Sequence, residues 1–291
     1  MDLTYTCPYN AWDWDTQQAT FHSNYAYPMV LKYPLLKCSS FTITAELFSS
    51  YTIPFNRSWE VQVYTGSSWY VAATFTMPAA TDRGSDVAER YYASITVDVT
   101  LSTKRNITKI VAVPATTINR SYTWSQFYTF YRGAVVTETL TPETLVDGNS
   151  FCGIYSQRSG LKKKPATVYT NIGGSLTEAT AVLVNIDGEL VNIPKMKQFA
   201  FLPTTKHQRT LLEFTPTNDA TYTIDSTTPY SDTSTLGDAD MLIFDKDLMQ
   251  LESGVTTNIS FDMVAGNTYY ILVIDSPDVD ELASKMIKIY F

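Results

Sequence analysis

Hydrophobic and polar positions alternate through much of this chain. Residues 41–47 read Phe-Thr-Ile-Thr-Ala-Glu-Leu, which puts Phe41, Ile43, Ala45 and Leu47 on one side and Thr42, Thr44 and Glu46 on the other. A period of two marks a strand with one buried face. The pattern returns at Trp59, Val61 and Val63, and again after Thr65-Gly66-Ser67-Ser68 at Val71, Ala73, Phe75 and Met77. Two such runs joined by a short glycine-containing turn predict a hairpin. Further strands are predicted over Ile95–Leu101, 107–113 and 122–131, with turn or loop signals at Pro54, Pro78, Arg83-Gly84-Ser85 and Pro114 between the runs. A sheet with one apolar face must cover it, so residues 20–135 are expected to form an antiparallel β-sandwich. The run 122–131 carries aromatic residues on both faces, so one of them needs cover from a second sheet or another protein.

From 136 to 205 the alternation breaks up around Thr141-Pro142, Asp147-Gly148, Gly160, Lys162-Lys163-Lys164-Pro165 and Gly173-Gly174. One unit inside is sharp: Asp187-Gly188 between Ala181–Ile186 and Glu189–Pro194 predicts a tight hairpin, because its turn requires positive φ. This stretch reads as a small β subdomain or linker. In 206–291, strands are predicted at Leu211–Phe214, Tyr222–Ile224, Met241–Phe244, Asn258–Met263, Tyr269–Ile274 and Lys285–Phe291. The expected class is all-β: tandem antiparallel, jelly-roll-like sandwiches with a small β-hairpin linker region. The expected division is an aromatic arm at 1–19, a first sandwich at 20–135, the subdomain or linker at 136–205 and a second sandwich at 206–291.

Two resemblances follow from these patterns. A strand, a hairpin carrying Trp59 and Trp69, a long strand ending in Val-Asp-Val and then Ile107–Pro114 is an order similar to the galactose-binding-like jelly roll. Jelly rolls of that type often bind sugars through loops at one end, but no loop residue here matches a family ligand. In 206–291, Asp-x-Asp, an apolar strand, Asn-Ile-Ser-Phe and Ala-Gly-Asn-Thr-Tyr-Tyr-Ile-Leu-Val resemble the bacterial pre-peptidase C-terminal domain. That resemblance implies a small β-sandwich serving as an accessory binding or packing module, not a catalyst. No peptidase domain accompanies it, and the last strand lacks the glycine that commonly precedes it in that family.

Composition supports the strand reading. Of 291 residues, 41 are Thr and 20 are Tyr, two types that suit a pleated, half-buried surface. With 17% charged and 13% aromatic residues, the chain can bury enough apolar surface to offset its ordering entropy, which argues against disorder. The net charge of −8 argues against a nucleic-acid binder, which needs Lys and Arg to neutralise phosphates. The charge is uneven: residues 206–291 hold 5 basic and 14 acidic side chains, whereas residues 1–205 hold 16 and 15. No run of about 18 apolar residues occurs, so membrane insertion by a spanning helix is not expected. The first residues show no basic n-region and no apolar h-region, so a secretory signal is not expected unless one has been removed.

Candidate chemistry is sparse. Two histidines, His22 and His207, lie far apart, and nucleophile-elbow, HExxH, Walker A and GxGxxG motifs are absent. No enzyme is expected, although paired carboxylates of a glycoside hydrolase would meet only in the fold. Cys7, Cys38 and Cys152 form an odd set without CxxC spacing. They read as small buried hydrophobes, with a Cys7–Cys38 bridge as the alternative. The pairs Asp238/Asp240 and Asp245/Asp247 suggest calcium, which takes several carboxylate and carbonyl oxygens. The strand between them holds the pairs about 15 Å apart at about 3.3 Å per residue, too far to share an ion. Solvated acidic turns are the simpler reading; if calcium binds, Asp238 and Asp240 are its expected ligands. Trp12, Trp14, Trp69 and Tyr70 are candidate contacts for a ligand or partner, since exposed Trp and Tyr stack on sugar faces and are enriched at interfaces. Core packing is the competing role for most aromatic residues. Lys162–Lys164 reads as a solvated loop.

These features suggest a non-enzymatic virion protein, structural or for attachment, such as a bacteriophage capsid, collar or tail accessory. Its partners would be other structural proteins of a particle or further copies of itself. The alternative is a bacterial cell-surface or secreted carbohydrate-binding or adhesion protein with a cell-surface glycan as ligand.

Overall fold

The structure, a computed structural model, describes residues 1–10, 19–21, 24–52, 54–84, 90–118, 127–151, 156–158, 161–163, 169–179, 182–186, 188–193, 195–201, 203–226, 239–251, 258–275 and 285–291. The chain is all-β, built from several antiparallel sheets, and divides into two compact units: Asp2–Thr139, and Leu140–Phe291 together with Met1. Among the described residues no helix is long and apolar enough to cross a membrane.

The first unit contains β1 (Asp2–Cys7), β2 (Tyr9–Asn10), β3 (Ala19–Phe21), β4 (Asn24–Ala26) and β5 (Met29–Ser49). After them come β6 (Ser58–Tyr64), β7 (Trp69–Thr76), β8 (Thr81–Asp82), β9 (Tyr91–Pro114) and β10 (Phe127–Thr139). Its organising element is the ribbon of β5 and β9, which pair antiparallel from Ser49↔Tyr91 to Met29↔Ile110. Different strands flank its two ends. β10 lies beside 42–49 of β5 and carries β1 on its other edge, while β6 lies beside 109–114 of β9 and carries β7. β2 pairs with Val30 and Leu31 of β5, so β5, β9 and the β1–β2 segment each pass from one layer to the other. One eight-stranded sheet is thus folded on itself, with the strands bent at breaks in pairing, as strands that switch layers generally are.

The fold-over is visible across the core. Tyr131 on β10 is buried, and its hydroxyl oxygen accepts a bond from the Ala112 amide of β9, in the opposite layer, at 2.8 Å. Burial raises the Tyr131 phenol above its ordinary range, so it stays protonated. Replacing Tyr131 by Phe leaves that amide without its partner and is expected to cost about 1–3 kcal/mol, read from denaturant unfolding.

Alternation along β5 confirms the pattern at 41–47 and shows what it missed. Odd positions are buried from Met29 to Leu35 and from Phe41 to Ser49, with Cys38 buried between them. The phase therefore slips twice, and the strand reads from sequence as starting only at 41. In the same way, the two runs expected at 95–101 and 107–113 are one 24-residue strand, interrupted by the polar stretch Ser102–Asn106. β1 lies within the segment expected to be an arm. Its Leu3, Tyr5 and Cys7 are buried by the same period of two, too short a run to stand out.

The second unit opens with β11 (Pro142–Thr144) and β12 (Val146–Phe151). Three hairpins follow: β13 (Ser156–Arg158) with β14 (Leu161–Lys163), β15 (Tyr169–Ile172) with β16 (Ser175–Glu178), and β17 (Val182–Ile186) with β18 (Glu189–Ile193). The last hairpin matches the Asp-Gly signal, with Gly188 at φ 92° and its amide bonded to Asn185 Oδ1. β19 (Lys195–Phe201), β20 (Arg209–Phe214), β21 (Ala220–Asp225), β22 (Ala239–Phe244), β23 (Asn258–Met263), β24 (Tyr269–Asp275) and β25 (Lys285–Tyr290) complete it. Two sheets, ordered β11-β20-β24-β22 and β12-β19-β25-β21-β23, pack across Leu212, Met241, Ile271, Ile224 and Ile287. Fully burying each of these side chains is worth about 1.5–3 kcal/mol. β11, β12 and β19 come from the stretch read as subdomain or linker, so strands of 136–205 are built into the second sandwich.

Candidate functional site

The breaks in the β5–β9 ribbon shape the most distinctive surface of the first unit. Between the pairs Leu35↔Ile107 and Cys38↔Arg105, β5 has one extra residue; between Cys38↔Arg105 and Ser40↔Thr100, β9 has three. Lys37 sits at the first break with φ 47°, in the left-handed region that costs a non-glycine residue energy, and its amide is held by Asn106 Oδ1 at 2.8 Å. Once alternation is broken, neighbouring side chains need not point to opposite faces. Lys104, Arg105 and Asn106, consecutive in sequence, accordingly line one open pocket of about 330 Å³ together with Lys37 and Thr65. Thr65 belongs to the β6–β7 turn, closed by its amide on Ser68 O with Gly66 at φ 90°.

Arg105 also stacks on Tyr70, its guanidinium carbon 3.8 Å from the ring centroid. Stacking on an aromatic face leaves the edge donors of the guanidinium open. Among the described residues, none of Lys37, Lys104 and Arg105 makes an ion pair. The first unit has ten basic and ten acidic side chains, so this gathering is local rather than a reflection of net charge.

Two arginines elsewhere in the unit are paired with acids. Arg132 Nε donates to Glu46 at 3.0 Å, and Arg90 Nε donates to Asp82 Oδ1 at 2.8 Å. The Arg90 hydrogen bonds, with help from the Gly84 amide, hold the Asp82 carboxyl down to about 2. Because the folded-state value is depressed, the pair's contribution is fully present above the unfolded value of about 3.9 and is lost as pH falls through about 2. An NMR titration should show Asp82 with its midpoint near 2, returning toward about 4 in Arg90→Gln. An unchanged midpoint in the variant would break the assignment.

Of the residues singled out from sequence, Tyr70 belongs to this constellation. Trp69, its neighbour, points to the other face: it is half-buried, packs with Ala26 against Val111 and Val113, and has its ring centroid 5.2 Å from that of Tyr64. Packing is therefore what the structure shows for Trp69. Trp12 and Trp14 lie outside the described residues, as do Asp238 and Cys152. Asp240 is 3% exposed in β22, opposite Ile274, and among the described residues no group of three or more His, Cys, Asp or Glu side chains could hold a metal ion. Asp245 acts as a turn residue, its Oδ1 accepting the amides of Asp247 and Met249 at 2.9 Å. Cys7 and Cys38 are buried and not bridged to each other, and burial pushes the Cys38 thiol up, which keeps it protonated.

Sequence reasoning passed over Lys37, Lys104, Arg105 and Asn106. Adjacent cations in a polar interruption between two apolar runs were the available signal. Lys37 could not be joined to them without the register.

No known protein family matches the chain, and no curated protein resembles it in sequence. Among solved structures, the tandem CBM51 modules of a family 98 glycoside hydrolase from Streptococcus pneumoniae align over 93% of this chain and 85% of their own, at 10% identity and TM-score 0.20. The CUB1-EGF-CUB2 domains of human MASP-1/3 align over 100% and 99%, at 11% identity and TM-score 0.21. The structure of PNGF-II aligns over 99% and 64%, at 8% identity and TM-score 0.23. Likeness at this level carries no argument about what this chain binds or does.

Proposed function

We propose that this chain is a non-catalytic recognition protein that attaches to a glycan through the pocket of its first unit. The observation that carries the reading is the convergence of Lys37, Thr65, Lys104, Arg105 and Asn106 on one open pocket, with Tyr70 against Arg105. A few polar groups fixed on a rigid scaffold are what orients a small polar ligand, and about 300 Å³ is the lower end of ligand-pocket volumes. The second unit would then serve as an accessory packing module, in keeping with its resemblance to the pre-peptidase C-terminal domain. On this reading the protein works at a bacterial cell surface or after secretion.

The test is a glycan array probed with the full chain, followed by titration of any hit. Arg105→Ala and Tyr70→Ala should each weaken binding by about tenfold, since each removes a stacked partner worth on the order of 1 kcal/mol or more. An array with no glycan bound above background would reject the reading.

A specific observation favours a second reading, a structural component of a multi-chain particle such as a virion. β15 and β16 are exposed along their whole length, and the hairpins of residues 169–193 present Tyr169, Ile172, Leu176, Leu183 and Leu190 at 55–74% exposure. Two-stranded ribbons are marginal alone, and apolar groups on them favour burial against neighbours. Mass spectrometry of purified phage particles should then find the chain in many copies. A particle that lacks it would remove that reading.

A further inference from the structure

Three cations without counter-charge say more about the ligand than its being a sugar. Lys37, Lys104 and Arg105 approach one pocket from two strands, and among the described residues no carboxylate lines it. Bringing like charges together raises the electrostatic energy of the folded state, by about 1 kcal/mol per pair at contact distance even in water. Elsewhere in the same unit Arg90 and Arg132 are paired with acids, which these three cations are not. The guanidinium carbon of Arg105 lies 3.8 Å from the Tyr70 ring centroid, and a guanidinium has a planar two-donor edge suited to a carboxylate or sulfate. Asn106 uses Oδ1 to hold the Lys37 amide, which leaves its Nδ2 donors for a further acceptor. Every polar side-chain group left available here is a donor, except the Thr65 hydroxyl, which can also accept.

We propose that the pocket takes an anionic saccharide, in which a uronate carboxylate or a sulfate ester sits among Lys37, Lys104 and the open edge of Arg105, and sugar hydroxyls meet Asn106 and Thr65. Tyr70 is the positioning residue that holds Arg105. The inference rests on the glycan-binding reading and deepens it by naming the ligand class.

The experiment uses the full chain and isothermal titration with three probes: tetragalacturonate, the same tetrasaccharide fully methyl-esterified, and a κ-carrageenan tetrasaccharide. The first and third carry carboxylate and sulfate respectively; the second is the neutral twin of the first. Expected is binding of at least one anionic probe, about tenfold or more tighter than the neutral ester, with affinity falling as salt rises from 50 to 500 mM. Which anionic probe binds more tightly separates the carboxylate from the sulfate source. Lys104→Glu should abolish that preference. It is an exposed position, so its melting temperature should match that of the unaltered chain and exclude misfolding as the cause. Arg105→Lys should retain part of the affinity, and Tyr70→Leu should lower it without removing a charge from the site. If the neutral ester, or only neutral glycans on the array, bind as well as the acids, the anionic class is overturned while the glycan reading stands. If the acids bind but Lys104→Glu changes nothing, the site assignment is overturned. If no glycan of either kind binds, both inferences fall.

Discussion

Trp59→Ala is expected to destabilise the first unit by about 3–5 kcal/mol, as Trp-to-Ala changes in packed cores do. The indole is fully buried and packs beside Phe75, with ring centroids 6.5 Å apart, and its Nε1–H donates to Pro54 O at 2.8 Å. Truncation therefore opens a cavity and also leaves the Pro54 carbonyl without its donor. Since single domains are stable by only about 5–15 kcal/mol, at least about a fifth of the total would be lost. For a unit of this size the melting temperature should fall by about 10–20 °C. Trp59→Phe separates the contributions: it keeps an aromatic ring in the core but loses the bond to Pro54, so a cost of about 1–3 kcal/mol is expected. Calorimetry on both variants decides the matter. A loss under about 1 kcal/mol for Trp59→Ala would mean that the ring does not hold β6 against the rest of the core.

Trp59 also shows how far sequence alone reaches. Its place on a strand and its inward direction follow from the alternation with Val61 and Val63, because a period of two in side-chain direction is a property of the extended backbone itself. The β6–β7 and β17–β18 hairpins follow from Gly66 and Gly188 in the same local way. The pocket does not, because it arises where that period fails. Lys37 departs from the strand conformation and three extra residues enter β9, and both events depend on which residue of β5 lies opposite which residue of β9. Register is a non-local quantity, so residues 67 to 69 positions apart could not be brought together by pattern. The limit of β5 was misplaced for the same reason: two phase slips within four residues erase the alternation that identifies a strand. Tyr70 and Trp69 make the point at the level of one residue. Both were candidates by type, yet neighbouring positions on a strand face opposite ways, so the fold gives one to Arg105 and the other to Val111 and Val113.

Gly133→Ala should cost about 3 kcal/mol or more, far above the usual effect of adding a methyl group at a strand position. Gly133 lies at a break in the β10–β5 register with φ 123°, a conformation that L side chains rarely adopt, and strain of this kind costs about 1–3 kcal/mol. The added Cβ would also stand 2.6 Å from Thr6 Cγ2, well inside van der Waals contact, so the Thr6 side chain or β1 itself must shift. The two causes can be told apart. Gly66→Ala places a methyl group at φ 90° with no atom within 4 Å, so it measures strain without a clash and should cost the smaller amount. Thr6→Ser removes the obstructing methyl, so in a double-mutant cycle it should recover about 1 kcal/mol or more of the Gly133→Ala loss, against additivity within about 0.5 kcal/mol for independent sites. Recovery would tie the cost to the approach of β1 to β10. If the changes simply add, backbone strain alone accounts for the glycine, and β1 is free to give way at that point.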